Sequence, residues 1–226
     1  TAAARPRAIV IVSAHWETPV VAVTSGVAPQ LIYDYYGFPP HTYELSYPAP
    51  GDPALAAALC SLLGSAGIDA VEDPARGFDH GVFIPFKLVY PHADIPIVQL
   101  SLHASLDPAL HLAIGRALAP LRDDGVLIVR SGMSYHNMSG FMRGGGEIAA
   151  SDRFDGWLQD VCTQIGDARA AALTNWHTAP AARDVHPREE HLLPLMVAAG
   201  AGADEPGRCE FTDRVMGATV SAFAFG

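Results

Sequence analysis

Ten histidines stand against fourteen lysines and arginines in a chain of 226 residues. Imidazole binds divalent metals and moves protons near neutral pH, so the positions of these residues decide what chemistry is open to the chain. Three of them follow apolar runs rich in β-branched residues. His15 comes after residues 8–14, His103 after 95–101 and His136 after 126–132. Continuous runs of this kind suit strands buried on both faces of a parallel sheet. In open α/β sheets, ligands bind beyond the carboxyl ends of the strands. The three imidazoles are therefore expected to converge on one rim of the sheet and to hold a divalent metal there.

His80 sits in Gly77-Phe78-Asp79-His80-Gly81, ahead of a helical run. The flanking glycines predict a tight backbone path that presents the ring at a helix N-terminus. In that position an imidazole is expected to stay neutral and to donate or accept a hydrogen bond. The alternative is a solvated histidine beside a helix cap. His186 and His191 flank Pro187-Arg188-Glu189-Glu190, which matches neither HExxH nor HxxEH. On one helix the two rings would stand about 140° apart and could not share an ion. A helix is expected to run from Pro187 through His191 to Ala199. His191 leads into the apolar stretch 192–196, so it is favoured as the ligand. Glu189 and Glu190 read as a charged helix start. His41, His92, His111 and His177 read as surface or structural residues, with His111 off the apolar stripe of its helix.

The elements that must position these residues are legible from periodicity. Further strands are expected at 20–25 and at 218–225, the latter nearer an edge. Helices are expected from Pro53 to Leu63, capped by Asp52, from Pro108 onward, and over 152–165. Strands alternating with such helices predict an α/β fold: one domain with a central, largely parallel or mixed sheet flanked by helices. The stretch 33–51, rich in proline and tyrosine, reads as a long loop and a candidate wall or lid. Tyr33, Tyr35 and Tyr36 either line a pocket there or are structural. Residues 143–146 read as a flexible connector.

Composition narrows the partners. A net charge of −10 argues against nucleic acid and against an anionic membrane surface. No apolar run reaches the roughly 20 residues needed to span a bilayer, and the first residues lack a signal-peptide core. Cys60, Cys162 and Cys209 form no CxxC pair and read as reduced thiols, which points to the cytoplasm. Gly132-Met133-Ser134-Tyr135-His136 begins like a nucleophile elbow but ends in histidine, and there is no GxGxxG or GKS/T loop.

Several motifs occur in order: Ser13-Ala14-His15-Trp16, Tyr36-Gly37-Phe38-Pro39, Tyr47-Pro48-Ala49-Pro50-Gly51, Gly77-Phe78-Asp79-His80-Gly81, Pro96-Ile97-Val98-Gln99-Leu100-Ser101 and His186 through Leu195. Together they resemble the class III extradiol ring-cleavage dioxygenases, in the DOPA 4,5-dioxygenase-like branch, over nearly the whole of residues 1–226. The resemblance implies a catalytic domain in which His15 and His191 are metal ligands and His136 is a ligand or an acid/base. It places His80 near the substrate oxygens; of the loop tyrosines, Tyr36 is the candidate for binding substrate beside it. It implies Fe(II) for catalysis, or Zn(II) in the same nitrogen-rich site. The implied partners are a small aromatic diol and O₂, with a homo-oligomer compatible. The family's Gly-His-Gly-Ser-Pro element has no counterpart before Ala8, so the implied ligand set lacks that histidine. Two other readings use the same residues: a zinc hydrolase that activates water, and a family member without catalysis.

Overall fold

The computed structural model describes residues 5–143 and 146–226. They group into two compact units, one holding residues up to Ser105 with Ala117–Ser131, the other Leu106–Arg116 with Gly132–Gly226. The expected fold class, α/β with a central mixed sheet flanked by helices, is the one the chain adopts.

The first unit is built on strands β1 (Ala8–Thr18), β2 (Val21–Thr24), β3 (Ala70–Asp73), β4 (Ile97–His103) and β5 (Val126–Ser131), in the order β3-β2-β4-β1-β5. β1 runs parallel to both β4 and β5, β2 parallel to β3, and β2 meets β4 antiparallel. β1 is an interior strand, between β4 and β5, and its residues 8–14 are buried, as a strand covered on both faces must be. One face packs Ile9 and Ile11 with Phe78 and with Val82, Phe83 and Phe86 of α2 (His80–Val89). Helix α1 (Pro53–Ser65) begins where expected. The Asp52 carboxylate accepts the Leu55 N–H at 2.9 Å, and Pro53 fills the first turn, where no amide is needed.

The strands depart from expectation at three points. β1 does not end before His15 but continues to Thr18, because it bulges rather than stops. Between Val12 and Glu17 it takes five steps while β4 takes two, from Leu100 to Leu102. β5 is an edge strand paired only with β1, so Leu127 is exposed and the next residues are half-buried. β3 carried no apolar run and was not anticipated; its four residues pair with β2 by backbone alone.

The second unit contains α3 (Pro108–Leu118, most of it), α4 (Met138–Arg143), α5 (Gly146–Cys162), α6 (Gly166–Thr174), α7 (Ala182–Val185), α8 (Leu193–Ala201) and an antiparallel ribbon, β6 (Gly207–Val215) with β7 (Ala218–Phe225). The strand expected at 218–225 is β7. Its partner β6 was not foreseen, since it is polar and largely exposed. Met216 and Gly217 turn the ribbon with φ of 51° and 91°, the conformation two-residue hairpins need. Arg169 is buried and donates to the carbonyls of Gln164, Glu205, Ala199 and Gly202, which ties α6 to the end of α8. His111, expected off the apolar stripe, is instead fully buried, with Nδ1 2.7 Å from the Asp107 carbonyl. The predicted helix from Pro187 does not form through His191. Residues 187–192 make turns and α8 opens at Leu193, with Pro194 in its first turn. The glycine-rich connector falls largely on Gly144 and Gly145, outside the described residues.

Candidate active site

In the first unit the β1 bulge carries His15 out of the ladder, and α2 begins with His80. Extra residues in one strand re-aim a side chain, a common device beside active sites. The two rings lie 4.0 Å apart between centroids, tilted by 42°. Asp34, from the long loop, completes the group: the donor atoms of His15, Asp34 and His80 all lie within 4.8 Å of one another. Asp34 Oδ1 accepts the backbone N–H of His80 at 2.9 Å and bonds its Nδ1 at 2.8 Å. It thereby caps α2 from 46 residues away in the chain. The contact favours the protonated form of His80, the opposite direction to the one expected at a helix N-terminus. The hydrogen bond to Asp34 raises its pKa against the opposing effect of burial. For Asp34 burial pushes upward, but the bonds from the His80 ring and amide outweigh it and the net shift is down. With Nδ1 engaged, Nε2 is the nitrogen left to meet a ligand.

Aromatic residues of the same loop stand around His80. Tyr35 is edge-on to it at 5.7 Å; Tyr33 packs with Tyr35 and Phe83, and Tyr43 with Tyr35. The hydroxyls of Tyr33 and Tyr35 each donate to a loop carbonyl, Leu45 and Thr42, at 2.5 Å. These two tyrosines therefore staple the loop. Tyr36 is 91% exposed.

In the second unit His136, Glu190 and His191 form a matching group, again with all donor atoms within 4.8 Å. The His136 and His191 rings stack at 3.4 Å and 14°. His136 Nδ1 lies 3.2 Å from Glu190 Oε1. Burial would raise the Glu190 pKa, but the His136 hydrogen bond, a backbone bond and the nearby imidazoles bring it down to about 2. The backbone is pinned as well: His136 N–H donates to the Val185 carbonyl and Met133 N–H to that of His191. Gly132 makes this approach possible, since a Cβ there would lie 2.3 Å from the His191 carbonyl oxygen.

His186 goes elsewhere. It is fully buried against Phe154 and Trp176, with Nε2 3.0 Å from the Ser134 carbonyl, and burial lowers its pKa to about 4. His186 and His191 do not share a helix, because turns separate them. His103 is also outside both groups: its Nδ1 closes a local turn with Ser105, at 2.8 Å from Oγ. The structure thus brings His15 together with His80, and His136 together with His191. Reading the sequence missed Asp34, which no spacing links to His80, and assigned Glu190 to a helix start that does not exist. Its position beside His191 was the available signal.

Imidazoles joined by a carboxylate are donors suited to a divalent metal, and both groups fit one. Residues 1–224 match the family described as the catalytic LigB subunit of aromatic ring-opening dioxygenase. A dioxygenase, tasH, of Hapsidospora irregularis is 42% identical over 98% of this chain and 72% of its own length. The 4,5-DOPA dioxygenase extradiol of Beta vulgaris is 40% identical over 88% of this chain and 75% of its own. That of Escherichia coli K12 is 39% identical over 87% and 73%. A crystal structure of an uncharacterized protein from Escherichia coli K12 superposes with a TM-score of 0.80 at 36% identity, covering 96% of this chain and 86% of the other. The chain belongs to the LigB family and is an extradiol aromatic ring-opening dioxygenase.

Proposed function

We propose that this enzyme opens the ring of a small ortho-diphenol beside its two hydroxyls, with O₂ as oxidant and a non-haem metal, Fe(II), as cofactor. The observation that carries this reading is the pair of imidazole–carboxylate groups, each compact enough to engage a cation. The plant and bacterial relatives are named for DOPA, an ortho-diphenol, which supports the substrate class. When bound, the metal would supply the redox link between an electron-rich diol and O₂.

His15, His191 and His136 are the proposed metal-binding residues. His136, bonded to Glu190, is also the proposed acid/base, because a carboxylate partner fixes which ring nitrogen faces outward. His80, held by Asp34, would offer Nε2 to a substrate oxygen. Tyr36, next to Tyr35 and open to solvent, is the proposed aromatic contact for an incoming ring. The cytoplasm is the proposed location, consistent with cysteines joined by no disulfide among the described residues. No helix among those residues is long and apolar enough to cross a membrane.

The test is elemental analysis of protein purified without oxygen, then oxygen uptake with a catechol after loading with Fe(II) or Zn(II). One O₂ consumed per catechol, with a coloured ring-opened product in the Fe(II) sample alone, is the expected result. No uptake with either metal sinks the reading.

A further inference from the structure

Asp79 precedes His80 and has no exposed surface. A carboxylate removed from water is costly to the fold unless it is bonded on every side. This one gathers donors from three parts of its unit. Its Oδ1 accepts the Ser13 hydroxyl at 2.8 Å, its Oδ2 accepts the Gln99 side-chain amide, and the Arg76 guanidinium stands 3.5 Å from Oδ2. Its backbone carbonyl takes the amides of Val82 and Phe83 and so opens α2.

The bond to Ser13 falls where β1 needs support. Ser13 lies in the bulge, where the residues leading to His15 have slipped their register with β4. Ser13 Oγ accepts the His15 N–H at 3.2 Å. A path of two hydrogen bonds therefore joins the start of α2 to the backbone of His15. Gly81 brings the same two elements into contact: a Cβ there would lie 2.6 Å from Ser13 Oγ and 3.0 Å from His15 Cδ2. Ser131, on β5, closes the third side by donating to the Gly81 carbonyl at 2.6 Å.

We propose that Asp79 is a positioning residue: its buried carboxylate, acting through Ser13, holds the bulge that carries His15 against the first turn of α2 that carries His80. It touches no substrate and sets the mutual placement of the two imidazoles. Its effect on turnover rests on the ring-opening reading; its effect on ring placement does not. Asp79→Asn keeps the shape but turns one acceptor into a donor facing donors. Ser13→Ala removes the link and leaves Asp79 in place.

The experiment uses the full chain, labelled with ¹⁵N in its histidines and freed of metal by a chelator. Imidazole cross-peaks are assigned by single histidine-to-glutamine variants and read at one fixed pH. In both variants the His15 and His80 peaks are expected to move while those of His136 and His191 hold. Loaded with Fe(II), both are expected to lose about 10- to 100-fold in kcat, with KM for a catechol changed less than about twofold, as small misplacements of reacting groups do. Where Asp79→Asn does not accumulate as folded protein, Ser13→Ala decides. Folded variants with unmoved His15 and His80 peaks, or with all histidine peaks shifted alike, overturn the proposal. Absence of oxygen uptake by the wild type overturns the ring-opening reading and leaves the spectral result standing.

Discussion

One oxygen of Asp34 serves both the backbone amide and the ring of His80, at 2.9 and 2.8 Å. The carboxylate thus fixes the ring's rotation and satisfies an amide of the first turn of α2 that has no partner within the helix. Replacing it with Asn keeps an acceptor but removes the charge; replacing it with Ala removes both. Asp34→Ala is expected to lower kcat by about 10- to 100-fold, and Asp34→Asn by less, since His80 would lose the fixed orientation in which it meets a substrate oxygen. Steady-state oxygen uptake on both variants checks the order. Equal activity in all three proteins would remove His80 from the chemistry.

Metal content tests the ligands directly. His15→Ala and His191→Ala are each expected to lose tightly bound metal, because removing a ligand from a small donor set weakens the hold on the ion. His80→Ala is expected to keep metal and lose turnover. Elemental analysis after gel filtration separates these outcomes, and full retention of metal in both His15→Ala and His191→Ala would defeat the assignment.

Gly132 has no room for a side chain. In Gly132→Ala the new Cβ would press on the His191 carbonyl at 2.3 Å, and backbone gives way only by moving His191. A loss of about 1–3 kcal/mol in stability is expected from such overpacking, with reduced activity in the fraction that folds. Gly64→Ala is the control. Nothing lies within 4 Å of the added carbon inside α1, so a gain of about 0.5–1 kcal/mol is expected from helix propensity. Urea titrations of both variants check the contrast.

His186 makes the second unit sensitive to acid. Burial lowers its pKa from the ordinary 6.5 to about 4, so the folded state binds fewer protons than the unfolded chain between those values. Its stabilising effect is therefore complete above about pH 6.5 and is lost as the pH falls toward 4, in total about 3 kcal/mol at roughly 1.4 kcal/mol per unit. The charges acting on it are those of His136, Glu190 and Arg183. In metal-free protein, His186→Gln is expected to flatten the dependence of unfolding free energy on pH within that window. An unchanged slope would assign the acid sensitivity to other groups.

The α/β class, the buried β1, the capped starts of α1 and the ribbon strand β7 were all readable from residue order, because each follows from local rules: a run of β-branched residues, an Asp-Pro start, a period of two or of 3.6. The candidate histidines were likewise suggested by what stands next to them in the chain. What residue order could not decide was company. Asp34 finds His80 across 46 residues, and Asp79 finds Ser13 across 66, through contacts that exist only once β1 has bulged and α2 has docked on it. His186 and His191 look equivalent in a string of letters. Turns after Val185 send one into an apolar interior beside Phe154 and Trp176 and the other against His136. Local propensity acts over a few residues, whereas burial and hydrogen-bond partners are properties of the packed chain, so the donors and their protonation belong to the tertiary structure.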